Sequence, residues 1–165
     1  MDAHCPDGAT TLEAFGWTGI GGEALSSSFE KARAVRKCIV VQGALAAQSG
    51  KTIEFFEQGL LSSAVNYADV DVHYEQRVEG DRVECTTIRI DEVLSENKAP
   101  KDIGFLSLDV EGAEVEVLET FPFDKVNLCC AAIEHNRTEA EQKIDKIMFR
   151  NGFKRVLRKL SGHDG

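Results

Sequence analysis

The sharpest change of hydrophobic period in the chain falls at residues 103–121, IGFLSLDVEGAEVEVLETF, which runs apolar, halts at acids and a glycine, and restarts at helical spacing. Ile103, Phe105, Leu106 and Leu108 are nearly uninterrupted, as in a strand buried on both faces of a parallel sheet. Gly112 marks the turn. Ala113, Val117 and Phe121 then recur at one-turn intervals with Leu118 beside them, while Glu114, Glu116 and Glu119 supply the wet side of a helix. The predicted unit is strand, acidic loop, helix.

The alternation continues on both sides. Residues 10–15 allow a turn or two of helix, and residues 17–23, WTGIGGE, a short strand closed by Glu23. Ser27 with Glu30 forms a capping box before a helix whose stripe is Phe29, Ala32 and Val35. Residues 38–41 predict a second buried strand, running into Gly43, Ala44 and Leu45, and residues 52–56 are rich in β-formers. Residues 59–81 are polar and weakly periodic, a long excursion that carries Tyr67, His73 and Tyr74 and is the expected source of substrate contacts. Residues 83–90 resume a strand, Asp91 is placed to cap a short helix through Leu94, and Pro100 ends the connection.

Beyond the central unit, residues 126–133 form an apolar strand that ends at Glu134, followed by His135 and Asn136. Thr138 and Glu141 make a second capping box for a helix with Ala140, Ile144, Ile147 and Met148 on its buried stripe and Gly152 at its stop; residues 153–160 are a last strand candidate. Strand and helix alternating in this way predict an α/β fold with a mainly parallel sheet. Three of the strands finish in a carboxylate, Glu23, Asp109 and Glu134. Ligands of such sheets gather beyond the carboxyl ends of the strands, so these acids are expected to face one crevice. The competing explanation for Asp109 and Glu111 is that they merely complement the positive end of the helix that follows.

The length of 165 residues suits one domain, residues 1–165, with a core that needs neither disulfide nor metal. A net charge of -9 argues against nonspecific binding to nucleic acid or membrane, and Lys154, Arg155, Arg158 and Lys159 read as the solvated face of the final strand. Five cysteines without a CxxC pair suggest neither a zinc site nor a disulfide framework. Cys129 and Cys130, inside an apolar run, are expected to be buried thiols in a reducing, cytoplasmic setting. No signal peptide and no apolar run long enough for a bilayer is expected.

Two stretches, FGWTGIGGE at 15–23 and FLSLDVEGAEVEVL at 105–118, resemble the FkbM-type methyltransferases, S-adenosylmethionine-dependent enzymes on the Rossmann-like class I methyltransferase fold. The strand and SG turn of residues 38–50, IEHN at 133–136 and GHD at 162–164 follow in the same order. The resemblance implies that Glu23 receives the ribose hydroxyls of the cofactor, that Asp2, Asp7 and Gly8 form the loop under its methionine portion, and that Ala44, Asp109 and Glu111 also contact it. His4 and Cys5 stand where that loop has glycine and alanine, and residues 1–5 must serve for both the first strand and the loop, so both are expected to be truncated. The implied reaction is O-methylation of a small metabolite or sugar, with Asp109, Glu134 or His135 taking the proton of a hydroxyl acceptor. Asp109, Glu134 and Asn136 offer oxygens of the kind Mg²⁺ accepts, but no metal is expected. The alternative is a catalytically inactive methyltransferase-like fragment or binding module. The expected partner is a small-molecule methyl acceptor, with no nucleic acid and no membrane.

Overall fold

The computed structural model describes residues 8–58, 62–67, 74–135 and 139–156. In chain order these form α1 (Gly8–Ala14), β1 (Ile20–Glu23), α2 (Ser26–Val35), β2 (Ile39–Gln42), β3 (Ala44–Leu45), β4 (Thr52–Glu57) and β5 (Ser63–Ala64), with a 3-10 turn at Val65–Tyr67. Then come α3 (Tyr74–Arg77), β6 (Asp81–Ile88), α4 (Ile90–Glu96), β7 (Asp102–Leu108), α5 (Glu114–Thr120), β8 (Asn127–Ile133) and α6 (Ala140–Arg150). The alternation read from the sequence is present, and the class is α/β.

A single, mainly parallel sheet is not what the described residues form. β1 pairs in parallel with β2, bringing Glu23 opposite Gln42, and β7 pairs in parallel with β8, bringing Leu108 opposite Ile133. Between them in sequence lies a four-stranded mixed ladder in the order β3-β6-β4-β5, in which β4 runs antiparallel to both of its neighbours. No hydrogen-bonded strand among the described residues joins the β1–β2 pair to the β7–β8 pair. A side chain spans that interval instead: the indole of Trp17 lies against Gly104 of β7, so close that a Cβ on Gly104 would fall 2.8 Å from Cζ3. The expected abbreviated first strand, with Asp2 and Asp7, lies outside the described residues, while Gly8, assigned to the loop after that strand, begins α1.

Two cores result. The larger gathers Leu108 of β7, Val117, Leu118 and Phe121 of α5 and its end, Ile133 of β8, Ile144 of α6 and Ile90 of α4. The other packs Leu25, just ahead of α2, against Ala44, Phe55, Ala64 and Cys85 of the mixed ladder. Several local expectations fail where tertiary partners outcompete local ones. Ser27 does not cap α2; Leu25 holds the N-cap position and the Ser27 hydroxyl bonds the Glu57 carboxylate. Val35, assigned to the apolar stripe of this helix, is 73% exposed, and α2 buries none of its residues fully. Asp91 sits inside the first turn of α4 and is held by the Arg89 guanidinium rather than capping. Thr138 lies outside the described residues, and Glu139 holds the N-cap position of α6.

Cys129 and Cys130 are exposed rather than buried, because the core against β8 gathers at the Ile133 end of the strand. Residues 153–156 have no regular secondary structure, and the rest of the predicted final strand is outside the described residues. Among the described residues no helix is long and apolar enough to cross a membrane.

Candidate functional site

The central acidic loop begins where β7 ends at the buried Leu108. A chain that must leave a strand, turn sharply and enter a helix within a few residues uses left-handed backbone, and here both Glu111 (φ 54°) and Gly112 (φ 113°) adopt it. For glycine this costs little; for glutamate it is strained. Glu114, read from its spacing as part of the wet face of α5, is only 2% exposed. Its carboxylate turns back over the loop and accepts the backbone N–H of Val110 at 3.0 Å and that of Gly112 at 3.1 and 3.2 Å. Burial pushes the Glu114 carboxyl up from its ordinary range, and these backbone donors pull it back.

Beside this loop stands the end of β8, where the Glu134 N–H donates to the Leu108 carbonyl at 2.9 Å. Asp109, Glu111 and Glu134 thereby offer carboxylate oxygens that lie within 4.8 Å of one another. Oε2 of Glu134 is buried with no ordinary donor facing it among the described residues. Two neighbouring carboxyl groups can hydrogen-bond only if one keeps its proton. Burial first, then the hydrogen bond to Asp109 and the charges of Asp109, Glu111 and Glu114, push the Glu134 carboxyl up to about 9. At neutral pH Glu134 is therefore a proton holder against Asp109. The same close oxygens are of the type a divalent cation accepts.

Asp109 and Glu111 also line a cleft of about 450 Å³, together with Glu23, Ala44, Gln48, Lys51, Asn66 and Glu116. The cleft is framed by backbone contacts. Gly43 N–H donates to the Glu23 carbonyl at 2.9 Å, tying the tip of β1 to the turn that leads into β3. Gly43 itself packs so tightly that a Cβ would come within 2.8 Å of the Ile88 side chain. On another wall the Lys51 N–H donates to the Thr87 hydroxyl at 3.0 Å, and the Thr87 N–H donates to the Lys51 carbonyl at 2.8 Å, which clamps the start of β4 to β6. Leu45, Phe55 and Ala64 add apolar surface.

The structure thus gathers Glu23, Ala44, Asp109 and Glu111 in one cleft, with Glu134 reaching it through Asp109. His135 is elsewhere: it is 4% exposed, its Nε2 lies 2.8 Å from Arg155 Nη2, and it lines a separate groove between β8 and α6. Arg155 also meets Glu141 at 2.6 Å and Asp145 at 3.5 Å, so it is a paired, mostly covered cation and not part of a solvated face. Gly8 is not among the cleft residues, and Asp2, Asp7 and Asn136 lie outside the described residues.

Sequence reasoning missed Glu114, Gln48 and Lys51. An acid directly after a Gly-Ala turn was the available signal for Glu114; nothing in the sequence marked the other two. Ser62 and Asn66 reach the cleft from the polar excursion expected to supply contacts, whereas His73 and the side chains of Tyr67 and Tyr74 lie outside the described residues.

No curated protein and no solved structure matches the chain. Residues 7–161 match the family model of the methyltransferase FkbM domain, a span that takes in β1, the acidic loop and the end of β8. With strand-tip acids converging on one cleft and a family match over almost its whole length, the chain belongs to the FkbM methyltransferase family.

Proposed function

We propose that the cleft binds S-adenosylmethionine and that the chain transfers its methyl group to an oxygen of a small metabolite or sugar. The observation that carries this reading is that Glu23, at the tip of β1, and Asp109 with Glu111, beyond the tip of β7, line the same cleft although they are distant in sequence. The residues fit such a cofactor. A volume near 450 Å³ is ordinary for a small-molecule site. A carboxylate can accept from two neighbouring ribose hydroxyls at once, which assigns Glu23 to them. The acids beyond β7 and β8 favour a cationic group beside them, and Ala44, Leu45 and Ala64 offer apolar surface for a base.

When bound, the cofactor supplies an electrophilic methyl carbon on a sulfonium. Most of the protein's work is then to hold the acceptor in line with that carbon. With the cofactor held in the cleft, Asp109 would take the proton of the acceptor hydroxyl, leaving its oxygen nucleophilic toward that methyl group. Glu134, keeping its own proton, donates to Asp109 and fixes the orientation of its carboxylate. His135, engaged with Arg155, takes no part in this step. Free thiols at Cys38, Cys85, Cys129 and Cys130 favour a reducing, cytoplasmic setting.

A second reading, cofactor binding without turnover, is favoured by His4 and Cys5, which stand where the family's loop under the methionine portion has glycine and alanine. Calorimetric titration with S-adenosylhomocysteine, beside an assay for transfer of labelled methyl, separates the two. Binding is expected, weakened roughly 10- to 100-fold in Glu23→Ala through loss of charged hydrogen bonds. A wild-type protein that gives no heat at millimolar ligand would sink both readings, while binding without transfer to any acceptor selects the second.

A further inference from the structure

Glu111 presents a physical puzzle. It lies in the left-handed region that non-glycine residues avoid, in a loop with three other carboxyl groups around it, yet its oxygens sit with those of Asp109 and Glu134 and it lines the cleft. Both strain and like-charge repulsion act to move it away, so something must hold it. The amides immediately before and after it, those of Val110 and Gly112, both donate to one buried carboxylate, that of Glu114.

We propose that Glu114 is the positioning residue of this cleft: its carboxylate holds the backbone N–H groups of the two residues on either side of Glu111 and keeps that residue, against its backbone preference, where its own carboxylate faces the bound ligand. The inference rests on the reading of the cleft as a cofactor site only for the ligand, since the clamp itself is visible in the hydrogen bonds. Glu114 touches neither cofactor nor substrate in this proposal. It acts through Glu111, and a merely structural Glu114 would stabilise β7 and α5 without a local effect on the loop.

Residue-resolved amide exchange on the full chain tests this, comparing wild type with Glu114→Ala and Glu114→Gln. In the alanine variant the Val110 and Gly112 amides should exchange about tenfold faster or more, while amides within β7 and α5 hold their rates. The glutamine variant keeps one acceptor oxygen and should fall between the two, which also preserves the test if alanine prevents folding. Affinity for S-adenosylhomocysteine should follow the same order, roughly tenfold weaker in alanine and partly restored in glutamine. Unchanged exchange at Val110 and Gly112, or a loss of protection spread evenly over β7 and α5, overturns the clamp. A wild type that does not bind the nucleoside overturns the cofactor reading and leaves the exchange result to decide the clamp alone.

Discussion

Single residues carry more of this structure than their types announced. Glu114 and Glu116 read alike in sequence, both on the polar side of an amphipathic pattern, yet one is buried under a loop and the other is exposed at the cleft. Spacing specifies a helix face; it does not say which neighbouring backbone donors will be left bare. Gly104 shows the same from the opposite side. The sequence pattern of the strand assigns it no role, whereas the structure uses the missing Cβ to seat Trp17, whose ring atoms would otherwise stand 2.8 and 3.2 Å from it. Gly104→Ala should therefore lower stability by about 1 kcal/mol or more, since overpacking forces the ring to shift. Trp17 is the sole tryptophan, 48% exposed, so its emission should move to longer wavelength in the variant. Denaturant titration followed by fluorescence checks both, and a variant matching wild type in midpoint and spectrum removes the indole from any role in joining the two parallel pairs.

Among the elements, α1 is short, and a helix of this length holds only through what it touches. Glu13 provides the attachment. Its carboxylate accepts Arg36 Nε–H at 3.1 Å and the backbone N–H groups of Lys37 and Cys38 at 3.2 Å, tying α1 to the end of α2 and the approach to β2. The Cys38 thiol hydrogen bond, followed by these partners, holds the Glu13 carboxyl down at about 2, from an ordinary 4.5. A carboxyl with a depressed folded-state value contributes stability above the unfolded value and loses it as pH falls through the folded one, so this contribution fades between about pH 4.5 and pH 2. Melting temperature measured against pH should fall more steeply in that window for wild type than for Glu13→Gln. Parallel curves would show that the attachment does not depend on the charge. The serine of the capping box predicted at the start of α2 does not cap, and the attachment that does appear joins residues more than twenty positions apart.

At the scale of the whole molecule, the consequential feature is that separate strand pairs still deliver their acids to one place. Glu23 comes from the tip of β1 and Asp109 from beyond the end of β7, and both line one cleft, while Glu134, at the end of β8 beside β7, reaches it through Asp109. Here the linkage has the opposite sign to that of Glu13. A group whose folded-state value is raised contributes fully below its unfolded value, near 4.5, and loses that contribution as pH climbs to about 9. Stability should decline from mildly acid to alkaline pH in wild type and decline less in Glu134→Gln, which cannot ionise; chemical denaturation at pH 5, 7 and 9 measures it. Equal slopes in the two proteins would separate Glu134 from Asp109. The alternation of apolar runs gave the main strands and helices in order, though not β5, α3 or the end of the chain, together with the acids at strand tips and the DVEGAE turn, because these depend on periodicity and local chain geometry. What only the tertiary structure decided was how the strands partition into ladders, which thiols and glutamates are buried, and that His135 faces Arg155 rather than the cleft. Those outcomes depend on contacts between residues far apart in the chain, and burial and pairing are properties of such contacts, not of the residues that make them.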